Sequence, residues 1–451
     1  RSLKGNSTHW IGGDMNLAGK ISGLSGDADV LFGGESYNAS VRVSSRIDQV
    51  YDFHILVEGL PEFLAFGLVA DHSSFVARLD FEREVELRAY KLKGGVLWCK
   101  PIKAEIELIT GNSPSIVKVH ANLVNFKFQL SQGTGENYSV RDSRGVARYG
   151  STKFSLRSAS IEIRCTEQTK IAREKLNQDG GFAITHDMVI NFNNAQGVQI
   201  DELKRILLDI HRVLAFANGA WVGIHLVRGF NNETNLSYLS LTNSLCSRHQ
   251  GRFGWFDAHH GHVLASVATK LVEEFDNSKS SDTFDRALYW YIRANNSAGV
   301  GIDAGIILAT TALELLAKFV KQKNELKVEI TGDKKHPSLG DKIRAAALHL
   351  EIPTLIEDNI CPQFWAIKND GQWSDIPEAI AKYRNDLVHP KARIKSQNQH
   401  ALTIEMWRLS VWYLELFMLR LIGYQDVYSN RLTAKWLGEV EHVPWAGSKS
   451  S

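Results

Sequence analysis

Near the end of the chain, a guanidinium, a carboxamide and an imidazole fall within one short stretch, Arg384-Asn385-Asp386-Leu387-Val388-His389. Ile376, Ile380, Tyr383 and Leu387 recur at the i, i+4, i+7, i+11 spacing of a buried helical seam. On such a helix Asn385 and His389 stand four residues apart and share a face, and Arg384 is turned roughly 100° from Asn385. Pro390 disfavours helical geometry at His389, so the helix should end there. An imidazole titrates near neutral pH and can carry a proton in either direction. A guanidinium grips a phosphate through two parallel hydrogen bonds. Arg384, Asn385 and His389 are therefore a candidate catalytic set for phosphodiester chemistry, with Asn385 orienting the imidazole or bonding the phosphate. The competing reading is a helix end closed by a cation and stopped by Pro390.

Three other groups of residues bear on the chemistry. Lys391, Arg393 and Lys395 follow the motif and can guide phosphates towards it, or form an ordinary solvated basic loop. Asp257, His259 and His262 are metal-ligand types, but no second cluster with ligand spacing accompanies them, so neither a metal nor another cofactor is expected. Gly299 to Gly305 lacks the G-x-G-x-x-G spacing of a dinucleotide loop. No P-loop, HExxH or GxSxG sequence occurs, which removes the simplest ATPase, zinc-protease and hydrolase readings.

The elements that must carry these residues can be read from hydrophobic period. Val41 and Val43, Val117 and Val119, Phe126, Phe128 and Leu130, and Ile161, Ile163 and Cys165 each alternate with polar residues. That is the pattern of half-buried strands, and an antiparallel sandwich or barrel would close them. Residues 1–165 are accordingly read as a β-rich N-terminal domain. Residues 166–279 combine a strand-like run, Phe182 to Phe192, with an amphipathic helix carrying Leu203, Ile206, Leu207, Ile210, Val213 and Leu214. They are read as a small α+β unit, ending in a linker at Asn277 to Ser281. From 280 the period becomes helical. Asp282 is a candidate helix cap, Ile302 to Val320 a central helix, and Ser338 and Asp341 a capping box. Helices over about 376–389 and 399–422, the second stopped by Gly423, complete a bundle of five. The fold class is thus α+β, with an all-α bundle over 280–451.

Composition narrows the role. The chain has 451 residues, with 52 Lys plus Arg against 50 Asp plus Glu, a net charge of +2. That balance argues against broad electrostatic coating of nucleic acid or membrane. The region from 281 onward is close to neutral as well, so an RNA substrate would have to be held by a small local site. Four cysteines, with no CxxC pair, suit a reducing compartment and exclude zinc-ribbon and thioredoxin motifs. The apolar run from Leu409 to Ile422 is interrupted by Glu415 and Arg420, too short and too charged to cross a bilayer. The first residues carry no apolar signal core and no Met, so a cytoplasmic chain extending further N-terminally is expected.

The motif and its setting resemble the HEPN superfamily. Arg384-Asn385-x-x-x-His389 matches that family's R-x4-H motif, placed late in a helical bundle after the apolar helix containing Thr311 to Leu316. The segments Ala287 to Asn295, Leu421 to Tyr424 and Val443 to Trp445 are similar to the ApeA-like branch, bacterial anti-phage proteins with a β-rich N-terminal region. The resemblance covers about residues 280 to 446. It implies a metal-independent endoribonuclease of abortive infection, in which the 2′-hydroxyl of RNA attacks the neighbouring phosphate. His389 would be the general acid or base and Arg384 would stabilise the phosphorane. It also implies a homodimer whose two motifs line one cleft, an RNA substrate with transfer RNA among the candidates, a phage-derived trigger and no membrane partner. Some members of the family have lost catalysis. The alternative is therefore a silent module that dimerises and senses a ligand through its β-rich region.

Overall fold

The computed structural model describes residues 24–46, 52–71, 73–79, 83–102, 107–109, 115–127, 138–142, 145–232, 235–241, 244–251, 253–296, 301–330, 335–389, 394, 396, 398–434, 436 and 438–447. The protein mixes strands and helices, with a β-rich N-terminal region and a helical C-terminal region.

Six antiparallel strands, β1 (Leu24–Phe32), β2 (Glu35–Arg46), β3 (Asp52–Glu58), β4 (Ser74–Leu79), β5 (Arg83–Lys93) and β6 (Val96–Pro101), close into a barrel of order β1-β2-β3-β6-β5-β4. The tight turns β1–β2 and β5–β6 are the Gly33-Gly34 and Gly94-Gly95 pairs, all at positive φ, as two-residue hairpins demand. Alternation along each strand sends Val30, Ile55, Val57, Leu87 and Leu97 inward. Helix α1 (Glu62–Ala70) packs its Leu64, Ala65 and Leu68 against this core.

The next strands form one antiparallel sheet, with order β11-β12-β13-β8-β14-β15-β7. Its members are β7 (Glu107–Ile109), β8 (Lys118–Val124), β11 (Ser151–Leu156), β12 (Ala159–Cys165), β13 (Ile184–Phe192), β14 (Gly223–Phe230) and β15 (Leu236–Ser240). A separate hairpin, β9 (Tyr138–Asp142) and β10 (Gly145–Tyr149), interrupts the series. Helix α2 (Glu167–Asp179) joins β12 to β13, and α3 (Ile200–Asn218) buries the stripe Leu203, Ile206, Ile210, Val213 and Leu214. The break in strand pairing therefore falls between Pro101 and Glu107, whereas residue 165 lies within the run of strands that make this one sheet. Phe126 follows β8 outside any strand, buried at 1% exposure, and Phe128 and Leu130 lie outside the described residues. The barrel docks on the far strands of the sheet: Leu226, Leu239 and Leu241 join its core, and Phe53 stacks on His225 with ring centroids 4.3 Å apart.

His225 on β14 and His186 on β13 are fully buried, and burial lowers each imidazole to about 3. The folded state thus holds both rings neutral, while the unfolded chain takes up protons near the ordinary value of 6.5. Their contribution is complete above about pH 6.5 and is lost as pH falls towards 3. The expected slope is about 1.4 kcal/mol per pH unit for each ring. Urea midpoints measured from about pH 7 down to about pH 5 should fall, and His225→Phe should flatten the dependence. An unchanged slope in that variant would contradict the assignment.

The C-terminal region holds α4 (Val263–Asp276), α5 (Ser281–Asn295), α6 (Ile302–Asn324), α7 (Leu339–His349), α8 (Pro362–Asn369), α9 (Ile376–Val388) and α10 (Gln399–Leu421). Helix α6 is central, packing against α5, α7, α9 and α10. Its buried side is Ile306, Ala309, Leu313, Leu316 and Val320, while Glu314 and Lys318 face solvent. The supposed linker at Asn277 to Ser281 is a tight turn: the Ser280 hydroxyl donates to the Glu274 carbonyl at 3.0 Å. Ser280, not Asp282, therefore occupies the cap position of α5, and Asp282 instead accepts from Arg286 at 2.9 Å. Helix α8, which the period missed, is short and opens at Pro362 after Cys361 in the left-handed region. A single apolar core runs from Ile116, just before β8, to Trp445 beyond the last helix.

Candidate active site

Helix α9 is fixed at both ends. Its cap, Asp375, accepts from the Glu378 amide at 2.9 Å and is gripped by Arg344 of α7 through two bonds of 2.5 and 3.0 Å. Arg344 also reaches Asp341 of the Ser338–Asp341 capping box at 2.9 Å. Burial alone would raise the Glu378 carboxyl, but Lys382 and two bonds from Ser374 outweigh it and hold it at about 2. Glu378 is therefore a structural anion rather than a proton donor. One face of α9 buries Ile376, Ala379, Ile380 and Tyr383. The Tyr383 hydroxyl lies 2.6 Å from Thr403 Oγ1 and accepts from Gln399 Nε2 at 3.1 Å, which ties the helix to the first turns of α10.

Asn385 and His389 lie on the side away from that seam, and Arg384, four residues after Ile380, lies at its edge. Arg384 is half-buried, and Asn385 and His389 are exposed. Arg384 Nη1 donates to Asn385 Oδ1 at 3.2 Å. His389 is the C-cap, with φ −131° and ψ 76°, and its amide closes on the Asn385 carbonyl at 2.7 Å. The chain leaves helical geometry at His389, as Pro390 requires. Asp386 points elsewhere, accepting from the Ile394 amide at 3.3 Å. Among the described residues no carboxylate pairs with Arg384. The arrangement places a half-buried guanidinium and an exposed imidazole within the last two turns of the helix.

The other sequence candidates fall out differently. Lys391, Arg393 and Lys395 lie outside the described residues. Asp257 is spent on structure: Oδ1 accepts from the His259 amide at 2.8 Å and Oδ2 from the Gly438 amide at 2.9 Å. Among the described residues no group of three or more His, Cys, Asp or Glu side chains is placed to hold a metal ion. Burial pushes the Cys99 and Cys361 thiols up to about 12, so neither is a ready nucleophile. Trp412, Tyr413 and Phe417 are buried within the chain itself. Among the described residues no helix is long and apolar enough to cross a membrane.

Two features escaped the sequence reading. One is a buried polar cluster: Glu415 of α10 takes two bonds from Arg431, at 2.9 and 2.5 Å, and a third from Tyr291 at 2.7 Å. Asn295 Oδ1 accepts from the same Arg431 at 3.0 Å. The only sequence signal was a carboxylate in the middle of an apolar helix. The other is a cavity of about 350 Å³ between the sheet and the segment after α10. Its lining is drawn from positions too scattered in sequence to be grouped by spacing.

Residues 277–442 match the family model described as the YopA C-terminal domain, and residues 111–252 match the YopA central domain. The barrel lies outside both matches. The SPbeta prophage-derived uncharacterized protein YopA of Bacillus subtilis (strain 168) is 26% identical over 347 residues, covering 75% of this chain and 74% of that protein. No solved structure matches. The C-terminal match takes in α5 to α10 and with them Arg384, Asn385 and His389. The central match takes in most of the seven-stranded sheet.

Proposed function

We propose that the chain is a metal-independent endoribonuclease of bacterial anti-phage defence, its C-terminal helices forming a HEPN-type bundle with Arg384, Asn385 and His389 as the catalytic set. The observation that carries the reading is the exposed end of α9, where Arg384 and His389 flank Asn385 and no described carboxylate neutralises the guanidinium. Burial of both side chains inside the protomer would have favoured a structural role. A relative named for a prophage fits a role in conflict between phages and their hosts.

In this reading the 2′-hydroxyl oxygen of RNA forms a bond to the adjacent phosphorus and the bond to the 5′-oxygen breaks. The products are a cyclic 2′,3′-phosphate and a 5′-hydroxyl. One proton leaves the attacking hydroxyl and one must reach the departing oxygen. A single imidazole cannot accept and donate in the same step, so two protomers would each bring one His389 to a shared cleft. Arg384 would hold the two non-bridging oxygens, where charge grows in the phosphorane. Lys391, Arg393 and Lys395 would steer the RNA, and the β-rich region would receive the trigger.

The test expresses the chain and its Arg384→Ala and His389→Ala variants in bacteria under phage challenge and maps new 5′-hydroxyl RNA ends. Cleavage and protection by the parent alone are expected, with purified protein active in chelator. Equal behaviour of all three proteins would sink the assigned site. Parent and variants that all bind RNA without new ends would favour the silent module instead.

A further inference from the structure

The cavity between sheet and helices has the chemistry of a ligand site. Lys127, just after β8, extends its ammonium to the Phe256 carbonyl at 2.9 Å, which fixes the charge at the cavity. Arg173 of α2 and the imidazoles of His249 and His259 also line it. The carboxylate present, Asp257, is directed at the His259 and Gly438 amides. Two large aromatics stand at the mouth with unusual exposure, Phe253 at 65% and Trp436 at 79%. A cavity of about 350 Å³ falls at the small end of pockets that enclose a single organic ligand.

The walls are built rather than incidental. Asn125 donates to the Gly181 and Ser247 carbonyls, both at 2.9 Å, and accepts from the Ala183 amide at 2.9 Å. Asn218 accepts from the Lys127 amide at 3.1 Å. The Phe253 carbonyl is held by Asn295 at 3.1 Å and by Arg431 at 3.4 Å, members of the buried cluster around Glu415. The lining comes from both matched regions, and among the described residues none of it is on α9.

We propose that this cavity binds a small anion carrying a planar ring, a mononucleotide being the chemical class that satisfies both halves. The ring would stack on Trp436 and Phe253, and the phosphate would lie towards Lys127 and Arg173. The cavity is too small for an RNA chain, so this is a site separate from the motif on α9. The proposal stands whether or not Arg384 and His389 cleave RNA.

The test is calorimetric titration of the full chain with AMP, GMP, CMP and UMP, and separately with inorganic phosphate and adenosine. At least one mononucleotide is expected to bind about tenfold or more tightly than either fragment. Trp436→Ala should weaken that binding about tenfold, the usual scale for losing an aromatic stack on a base. Arg173→Glu should weaken it at least as much, and Arg173→Gln less. Trp436 is exposed and Arg173 half-buried, and unchanged circular dichroism would show that the fold persists. The titration reads binding without any RNA cleavage, which separates this result from the fate of the nuclease reading. Absence of binding by all four nucleotides at millimolar concentration would overturn the proposal. So would equal binding by parent and Trp436→Ala, or phosphate alone binding as tightly as the best nucleotide.

Discussion

Glu415→Ala is expected to lower stability by about 3–5 kcal/mol, seen as a large fall in the urea midpoint of the helical region. The side chains of Arg431 and Glu415 are 1% and 0% exposed, so the substitution strands a guanidinium in the core. It also removes the acceptor for Tyr291. The comparison that isolates the cause is a double variant, Glu415→Leu with Arg431→Met. Removing both charges together should recover much of the loss, because no unpaired ion then remains. A loss below about 1 kcal/mol for Glu415→Ala would mean that water reaches the cluster and that it is not the buried ion pair described.

The second large effect falls on turnover. His389→Ala is expected to slow RNA cleavage by about a hundred- to ten-thousand-fold, the range for a positioned general acid or base. Arg384→Ala should cost about a hundred- to a thousand-fold, the scale of one lost electrostatic stabiliser of a transition state. Arg384→Lys keeps the charge but loses the two-pronged geometry, so it should fall between Arg384→Ala and the parent. Asn385 and His389 are exposed and Arg384 is half-buried, so the melting midpoint should hardly move in any of these variants. Cleavage by purified His389→Ala at the parental rate would remove the imidazole from the mechanism.

Local pattern made much of this architecture legible. The alternation at Ile161, Ile163 and Cys165 is the inward face of β12, and the spacing of Ile376, Ile380 and Tyr383 is the buried face of α9. The Ser338–Asp341 pair signalled a helix start because a capping box is a contact between near neighbours. What stayed hidden depends on residues far apart in the chain. Nothing in β8 or β14 announces that they pair with each other across a hundred residues and draw β13 into the same sheet. Glu415 reads from sequence as an interruption of an apolar run, since its partner Arg431 lies beyond the end of the helix. The candidate set on α9 was legible because all three members sit within two turns of one helix. The cavity was not, since Lys127, Arg173 and Trp436 meet only after the sheet and the last helix have packed.

The two matched regions, 111–252 and 277–442, have the look of separate modules, yet one apolar core runs through both. The barrel instead closes on itself, and among the described residues its apolar core takes in Leu226, Leu239 and Leu241 from its neighbour. Recombination between related genes meets very different costs at these two seams. A new barrel can be grafted after Pro101 if it meets three leucines and the ring of His225. A new set of helices would have to match a whole sheet face, side chain by side chain. Exchange of the barrel alone is therefore expected to leave the remaining core intact, whereas exchange of the helices without the sheet is expected to break it.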